Sequence, residues 1–316
     1  MKKAWVAIVL GLLWPGLLAA EDMAALGPDD TTVLAQAVGD GVQRVEQIII
    51  TATGTEVSPR NTSVSATVVT SPQIEARQAT RVEQLLRDVP GVIASQTGST
   101  GAQTSLFVRG GNSNMTQVLL NGFRLNNVGG FFDFSKLTTD NVDRIEVVRG
   151  PMSSLYGNDA MTGVINVISR RGEGPPSLSL TTNWGAHASG HNNRNLISEQ
   201  RVSFQGSWDR LGYSVAYGNY YDYGILPFNN RSTANVLNSR LDLSPVERFQ
   251  LTLTTLFIDN YFGFPTSSGD RFDSTAAGGS GLDPDQNQTN NNLLLGLTAT
   301  YRPWEWWENE LSLGYL

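Results

Sequence analysis

The pattern of hydrophobic and polar positions changes in character near residue 173. Before that point, short apolar runs are broken by glycine and proline, and one stretch has the spacing of a helix with a single apolar face. After it, apolar and aromatic residues recur at every second position, which is the period of a β-strand with one apolar face. The chain is therefore predicted to contain two architectures: a small α+β domain in residues 53–172 and an antiparallel sheet in residues 173–316.

The α+β domain carries clear helix and turn signals. Pro72 after Ser71 predicts a helix start, because proline is favoured in the first helical turn. Thr80 and Glu83 have the spacing of a capping box, which predicts the start of a second helix. Asn121-Gly122 between two apolar runs predicts a β-hairpin. The second helix is predicted to bury Val82, Leu85, Leu86 and Val89, and strands are predicted at 105–109, 144–149 and 164–168.

Residues 173–316 are predicted to form about seven alternating strands of about ten residues each. That is the length of a tilted membrane-spanning strand, and Tyr and Trp near strand ends are typical of the aromatic girdles of such barrels. A soluble sandwich has the same alternation, but short turns that alternate with long polar loops favour a transmembrane barrel with its short turns in the periplasm. The predicted short turns are 209–212, 244–248 and 302–305, and the predicted long loops are 186–199, 222–234 and 263–292.

The first 20 residues have the features of a cleaved secretory signal. Lys2 and Lys3 precede an apolar stretch from Ala4 to Leu18, which is followed by Ala19-Ala20. The stretch is short for a transmembrane helix, which needs about 20 residues, so an N-terminal membrane anchor is the less favoured alternative. Residues 21–45 are polar, contain glycine and proline, and are predicted to be a flexible spacer.

A short segment rich in β-branched residues follows the spacer: Glu46-Gln47-Ile48-Ile49-Ile50-Thr51-Ala52. This composition predicts an extended strand. Such a strand near a chain terminus can add itself to the sheet edge of a partner protein, or it can be the first strand of the following domain. The spacing alone leaves both possibilities open.

Composition excludes several classes of function. The net charge of −7 and the pI near 4.9 argue against nucleic-acid binding, which needs a basic surface. The chain has no cysteine, and its two histidines, His187 and His191, lie in a Gly/Asn/Ser-rich stretch that predicts a solvated loop. It also lacks the Gly-Lys-Ser/Thr of a phosphate loop and the Gly-x-Ser-x-Gly of a nucleophile elbow. The protein is therefore not expected to be an enzyme.

Four stretches carry motifs specific to one family: 85–92 (Leu-Leu-Arg-Asp-Val-Pro-Gly-Val), 107–112 (Phe-Val-Arg-Gly-Gly-Asn), 118–126 (Val-Leu-Leu-Asn-Gly-Phe-Arg-Leu-Asn) and 142–168, which begins Val-Asp-Arg-Ile-Glu-Val-Val-Arg-Gly-Pro. Through them, residues 45–172 resemble the plug domain of TonB-dependent outer-membrane receptors, most closely the vitamin B12 receptor branch. The resemblance implies a bacterial outer-membrane protein whose plug lies inside a 22-stranded barrel. With about seven strands predicted, the chain is expected to hold only the N-terminal part of that barrel, with several hundred residues missing.

The resemblance also implies particular sites. Glu46 to Ala52 resembles the TonB box, the segment that pairs with TonB, which is anchored in the inner membrane with its motor complex. Arg109 and Arg149 are implied to pair with barrel carboxylates and to hold the plug in place, with salt bridges inside the plug as the alternative. Two residues of the implied ligand loops, Phe131 and Phe132, are equally compatible with the plug core. The ligand is implied to contact plug loops through Thr97, Ser99, Gln103, Asn127, Phe131 and Phe132.

The implied function is active uptake of a large, scarce ligand from outside the outer membrane. A corrinoid such as cobalamin is the first expectation, a ferric siderophore is the alternative, and a passive porin or adhesin is less favoured. The aromatic loop at 129–133 departs from what is expected of a corrinoid receptor. No cofactor is expected except calcium, because a group of aspartates falls where the B12 branch binds that ion, although acidic external loops are usually just solvated. These residues are Asp270, Asp273, Asp283 and Asp285.

Overall fold

The computed structural model describes residues 51, 63–98, 100–188, 196–225, 229–264, 266–267, 282–283 and 286–316. The expected signal segment, the spacer and every residue of the expected box except Thr51 lie outside these ranges. Residues 47–316 form one compact unit that contains both predicted architectures.

The first architecture is a small sheet with short helices. Its sheet has five strands in the order β1-β6-β7-β4-β5, in which β4 and β7 are parallel and the other neighbours are antiparallel. Strands β2 and β3 form a separate antiparallel pair. The strands are β1 (Ser65–Thr70), β2 (Val92–Gln96), β3 (Thr104–Val108), β4 (Thr116–Leu120), β5 (Phe123–Arg124), β6 (Val142–Arg149) and β7 (Gly163–Ser169). The helices are α1 (Ser71–Arg77), α2 (Val82–Leu86) and α3 (Ser153–Tyr156).

Both faces of this sheet are covered, which explains why β7 is largely apolar without alternation. One face packs into a large core together with α2, through residues such as Leu85 and Ile145. The opposite face packs into a smaller cluster around Met152 and Ala160. Every residue of β7 is consequently buried.

The predicted local signals are largely confirmed. Helix α1 begins at Ser71 with Pro72 in its first turn. The hairpin between β4 and β5 turns at Asn121 and Gly122, whose φ angles of 49° and 85° are those that its two-residue turn requires. The predicted capping box of Thr80 and Glu83 is wrong, because α2 begins one residue later.

Gln84 performs the capping role at the start of α2. Its side-chain oxygen accepts hydrogen bonds from the backbone N–H groups of Thr80 (3.0 Å) and Arg81 (3.4 Å). Glu83 instead faces the interior and is only 4% exposed.

The second architecture is an antiparallel sheet of seven strands, as predicted, in the order β8-β9-β10-β11-β12-β15-β16. Two-residue turns join its strands at one end and long loops join them at the other, so the predicted alternation of turns and loops is confirmed. A two-stranded hairpin, β13 with β14, lies in the longest loop. The strands are β8 (Ser177–Ala186), β9 (Leu196–Trp208), β10 (Leu211–Asp222), β11 (Ser232–Val246), β12 (Phe249–Gly263), β13 (Thr266–Ser267), β14 (Leu282–Asp283), β15 (Asn287–Trp304) and β16 (Trp307–Tyr315).

One face of this sheet exposes a continuous apolar surface. Its side chains lie in register across the strands, for example in the row Leu241, Leu253, Leu297 and Leu313. Leu253 and Leu313 are 38% and 60% exposed. An apolar surface of this kind is costly to expose to water. No helix among the described residues is both long enough and apolar enough to cross a membrane.

Aromatic and polar residues border this apolar surface at both ends. At the short-turn end, Trp304 stacks on Trp306 with ring centroids 5.6 Å apart. At the long-loop end, the guanidinium of Arg231 lies 4.8 Å from the centre of the Tyr261 ring. Between that pair and the apolar rows runs a polar row in register across four strands: Asn219, Asn235, Asp259 and Asn291.

The opposite face of the seven-stranded sheet packs on the small domain. Residues at alternate positions, including Val236, Leu256 and Leu294, belong to the same buried core as α2 and β6. The seven-stranded sheet is therefore a wall whose inner face packs on the small domain and whose outer face is apolar.

Candidate functional site

Thr51, the one described residue of the expected box, is held by three side chains of the small domain. Its backbone N–H and its hydroxyl donate to Oε2 of Glu146 at 2.9 and 2.6 Å. Its hydroxyl accepts from Nδ2 of Asn166 (3.1 Å), and its carbonyl accepts from the hydroxyl of Tyr156 (3.0 Å). Thr51 is fully buried by these contacts. We refer to Glu146, Asn166 and Tyr156 together as the Thr51 cradle.

Strand register builds the Thr51 cradle. Glu146 on β6 is directly opposite Asn166 on β7, so their side chains lie side by side on one face of the sheet. Arg144, two residues before Glu146 and on the same face, donates from Nε to the other carboxylate oxygen at 2.9 Å. Arg144 and Glu146 therefore form an ion pair on this face of the sheet. The contact with Thr51 was not foreseen.

Tyr156 completes the cradle from α3. Burial raises the pKa of its hydroxyl, and the negative charge of Glu146 raises it further. The group therefore stays a neutral donor to the carbonyl of Thr51. The sequence signal for this site was Asn166, a polar residue inside the largely apolar strand β7.

A polar seam joins the segment 139–141 of the small domain to the inner face of the wall. The hydroxyl of Tyr220 donates to Oδ2 of Asp140 at 2.5 Å, and Nδ2 of Asn238 donates to the carbonyl of Asp140 at 3.0 Å. Nδ2 of Asn141 donates to the carbonyl of Ser214 at 3.3 Å. Burial raises the pKa of the Asp140 carboxyl, and the hydrogen bonds from Tyr220 and Thr138 oppose that rise.

The β4–β5 hairpin is the second attachment to the wall. Nδ2 of Asn121 donates to the hydroxyl of Thr254 on β12 at 3.1 Å. The ring of Phe123 lies against Gly296 and Gly314, which are paired in register on β15 and β16. A methyl group on Gly296 would come within 2.4 Å of that ring, so the glycine pair forms a notch that only a bare backbone can provide.

Arg109 and Arg149 lie next to each other on the small domain, around Gly91 and Gly150. Arg149 donates to the hydroxyl of Thr67 at 2.8 Å and to the carbonyl of Pro90. Burial lowers the pKa of Arg149, and the positive charge of Arg109 lowers it further. Within the described part of the chain, no salt bridge joins either arginine to a carboxylate. Their pairing with barrel carboxylates stays a prediction.

The two expected ligand loops meet at their bases, where the backbone N–H of Thr104 donates to Oδ1 of Asp133 at 2.9 Å. The first loop closes through a hydrogen bond from the N–H of Thr97 to the carbonyl of Gln103 (3.1 Å). Its Gly101 touches Ser232 and Phe262, which places the loop at the long-loop end of the wall.

The expected ligand residues differ in how exposed they are. Thr97, Gln103 and Asn127 are exposed and Phe131 is half-buried, whereas Ser99 lies outside the described residues. Phe132 is not exposed in the loop. It is 6% exposed and packs edge-on against Phe134 in the core, with ring centroids 4.9 Å apart. The plug-core alternative therefore holds for Phe132.

The calcium site stays a prediction. Asp270, Asp273 and Asp285 lie outside the described residues, and only the backbone of Asp283 is described. Among the described residues there is no group of three or more His, Cys, Asp or Glu side chains that could hold a metal ion. His187 lies beside Asp222, with Nε2 2.7 Å from Oδ1.

The family model of the TonB-dependent Receptor Plug Domain matches residues 58–164. This span runs from before β1 into β7. The small domain therefore matches the plug-domain model of this family, and we call it the plug domain from here on.

Solved structures share the arrangement of plug and wall. The ferripyoverdine receptor of the outer membrane of Pseudomonas aeruginosa, bound to ferripyoverdine, has a TM-score of 0.64 at 18% identity, over 85% of this chain and 36% of that chain. The ferric yersiniabactin uptake receptor FyuA from Yersinia pestis has a TM-score of 0.61 at 19% identity, over 79% and 40%. The unliganded ferric citrate transporter FecA has a TM-score of 0.61 at 19% identity, over 76% and 38%.

These comparisons show the fold: a plug domain followed by an antiparallel sheet like part of the barrel wall in the solved structures. All three similar proteins are described as receptors or transporters. The chain spans 36%, 40% and 38% of their respective lengths.

Proposed function

We propose that the protein acts in TonB-dependent uptake of an iron chelate across the bacterial outer membrane. The proposal is carried by the way the plug is held against the inner face of the wall, whose outer face is apolar. The polar seam and the glycine notch that receives Phe123 make these contacts. A pore blocked in this way has to be opened by mechanical work. The outer membrane has no ATP supply, so the work has to arrive through a protein contact.

The box segment is the proposed point of that contact. Its composition suits strand addition to the sheet edge of TonB. Thr51, at its C-terminal end, is already bound to the plug sheet, so a pull on the segment would be transmitted to the plug.

An iron chelate is the ligand class that the similar structures favour, since their descriptions name ferripyoverdine, ferric yersiniabactin and ferric citrate. Nothing in these comparisons supports the cobalamin expectation. The half-buried Phe131 next to exposed polar residues at the long-loop end is compatible with a large organic ligand.

The test is uptake by cells that produce the full-length receptor, with and without functional TonB. We expect accumulation of radioactive iron supplied as ferric siderophores, and loss of that accumulation in cells without TonB. Uptake that persists without TonB would contradict the proposal and favour a passive pore. Uptake of labelled cobalamin with none of any ferric chelate would overturn the ligand class while leaving the mechanism.

A further inference from the structure

We propose that a cavity between the plug domain and the first two strands of the wall is a binding site for a small oxyanion, with Arg201 as its cation. The cavity has a volume of about 530 Å³. Helix α1 and the segment 139–141 line it from the plug side, and β8 and β9 line it from the wall side. The ligand class is a small carboxylate or a phosphate, and the site is independent of uptake and of TonB.

The guanidinium of Arg201 has donors that the protein does not use. Its Nε is buried and has no hydrogen-bond partner. Within the described ranges, no salt bridge joins Arg201 to a carboxylate. A buried charged donor without an acceptor is costly, so a bound acceptor would stabilise it. Arginine suits this role, because its planar guanidinium can donate two parallel hydrogen bonds to one carboxylate or phosphate.

Strand register places three hydroxyl groups next to Arg201. Thr181 on β8 is directly opposite Arg201, and Ser179 is directly opposite Ser203, two residues further along β9. All four side chains line the cavity. Side chains that are directly opposite on paired strands are about 5 Å apart, and a hydroxyl can donate to an anion. One cation and three hydroxyls therefore lie together on one patch of the wall.

The acidic residues of the cavity are already hydrogen-bonded. Three carboxylates line it, and each accepts from a neighbour: Glu75 from Arg170 (2.6 Å), Glu199 from Asn183 (3.2 Å) and Asp140 from Tyr220 (2.5 Å). Arg170 and Glu75 form an ion pair, so their charges largely cancel. Of the charged groups that line the cavity, Arg201 is therefore the one whose hydrogen-bonding capacity is left over.

An oxyanion in this cavity would connect the plug domain to a part of the wall that it does not otherwise bond. The hydrogen bonds between residues 63–172 and the wall reach Tyr220 on β10, Asn238 on β11 and Thr254 on β12, and none within the described ranges reaches β8 or β9. Gln78, just after α1, lines the cavity from the plug side. A volume of about 530 Å³ is in the usual range of small-molecule pockets. It accommodates a small dicarboxylate as well as a phosphate.

The site is tested by titration calorimetry of the full-length receptor in detergent with succinate and with inorganic phosphate, and with chloride at matched ionic strength as the reference. We expect binding of the oxyanions above the chloride reference. Arg201→Gln should weaken it about tenfold or more, because a charged donor is lost, and Thr181→Val about threefold, because a neutral donor is lost. Arg210→Gln changes an exposed arginine of a short turn and should bind as the wild type does.

The stability of the receptor provides a second measurement. A ligand that binds only the folded state stabilises it, so saturating succinate should raise the unfolding temperature of the wild-type receptor and leave that of Arg201→Gln unchanged. Binding of one oxyanion alone supports the site and identifies its ligand as a carboxylate or a phosphate. No binding above the chloride reference would overturn the site. Equal binding to the wild type, Arg201→Gln and Thr181→Val would overturn it too, since the anions would then bind elsewhere. If Arg201→Gln does not fold, Thr181→Val, which keeps the side-chain shape, decides.

Discussion

Single glycines in the wall determine where the plug can sit. Gly296 and Gly314 leave room for the Phe123 ring, and an added methyl group on Gly296 would overlap it. We expect Gly296→Ala to lower the free energy of unfolding by about 1–3 kcal/mol, because overpacking forces neighbouring groups out of place. Scanning calorimetry of the full-length receptor in detergent measures this loss.

A matched control exists on the same wall. A methyl group on Gly185 would meet only Ile197, at an ordinary contact distance of 3.8 Å, so Gly185→Ala should be nearly neutral. Combining Gly296→Ala with Phe123→Leu should recover part of the loss. Equal effects of the two alanine variants would contradict the notch.

The protonation of Asp140 makes the stability of the folded protein dependent on pH. Its pKa is raised in the folded protein, chiefly by burial, so the carboxyl favours the neutral form there. The stability it contributes is present below its ordinary pKa of 3.8 and is lost as the pH rises through the higher folded value. Asp140→Asn keeps an acceptor for Tyr220, and we expect it to raise the unfolding temperature at neutral pH.

The difference between Asp140→Asn and the wild-type receptor should disappear below the ordinary pKa of the carboxyl, where both side chains are neutral. Unfolding temperatures measured across a pH series provide the comparison. An advantage of the asparagine variant that stays constant with pH would rule out titration of Asp140 as its cause.

Burial of individual residues was predictable only where neighbours in sequence decide it. Phe131 and Phe132 are adjacent and of the same residue type, yet only Phe132 is buried, and no local signal shows which of them faces the core. The Thr51 cradle was harder to predict from the sequence. Glu146 and Asn166 become neighbours only through the pairing of β6 with β7, which the sequence of either strand does not reveal.

At the scale of elements, strand addition to TonB would use the backbone of the proposed TonB box, residues 46–52. Ile50→Pro removes one N–H group and restricts the chain, so strand addition to TonB should fail. We expect ligand uptake to fall to the level of cells without TonB, while ligand binding to the receptor is retained. Ile50→Val preserves the backbone and the β-branched shape, and it should transport normally. Normal uptake by the proline variant would show that the box lies elsewhere.

Elements with strong local signals were predicted well, and their boundaries and pairing less well. The Asn121-Gly122 turn and the start of α1 at Ser71-Pro72 each depend on the backbone preferences of two adjacent residues. Such preferences can be predicted from the sequence alone. The start of α2 is displaced by one residue because burial draws Glu83 inward and leaves Gln84 to cap the helix. The parallel pairing of β4 with β7 depends on contacts between distant segments, so no local pattern specifies it.

At the scale of the whole molecule, the apolar face of the wall fits the hydrocarbon layer of a membrane. Leu253 lies in the middle of this face, and the polar row containing Asn235 marks its upper limit. Leu253→Arg should therefore cost about 2–4 kcal/mol, and Asn235→Arg about 0–1 kcal/mol. Denaturant unfolding of the full-length receptor in lipid vesicles compares them. Similar costs at both positions would contradict a membrane facing this surface.

The attachment of Thr51 also determines how far the box can travel. Glu146 lies on β6, a strand paired on both sides within the plug sheet, so tension applied at Thr51 acts on an internal strand of that sheet. Four hydrogen bonds hold the residue, fewer than the ladders that hold β6, so the attachment should yield before the sheet does. Fourteen residue steps separate Thr51 from Ser65, the first residue of β1. Fully extended they span about 46–50 Å. If residues 46–52 are the TonB box, the detached segment can be pulled that far from the plug while every strand of the plug remains folded.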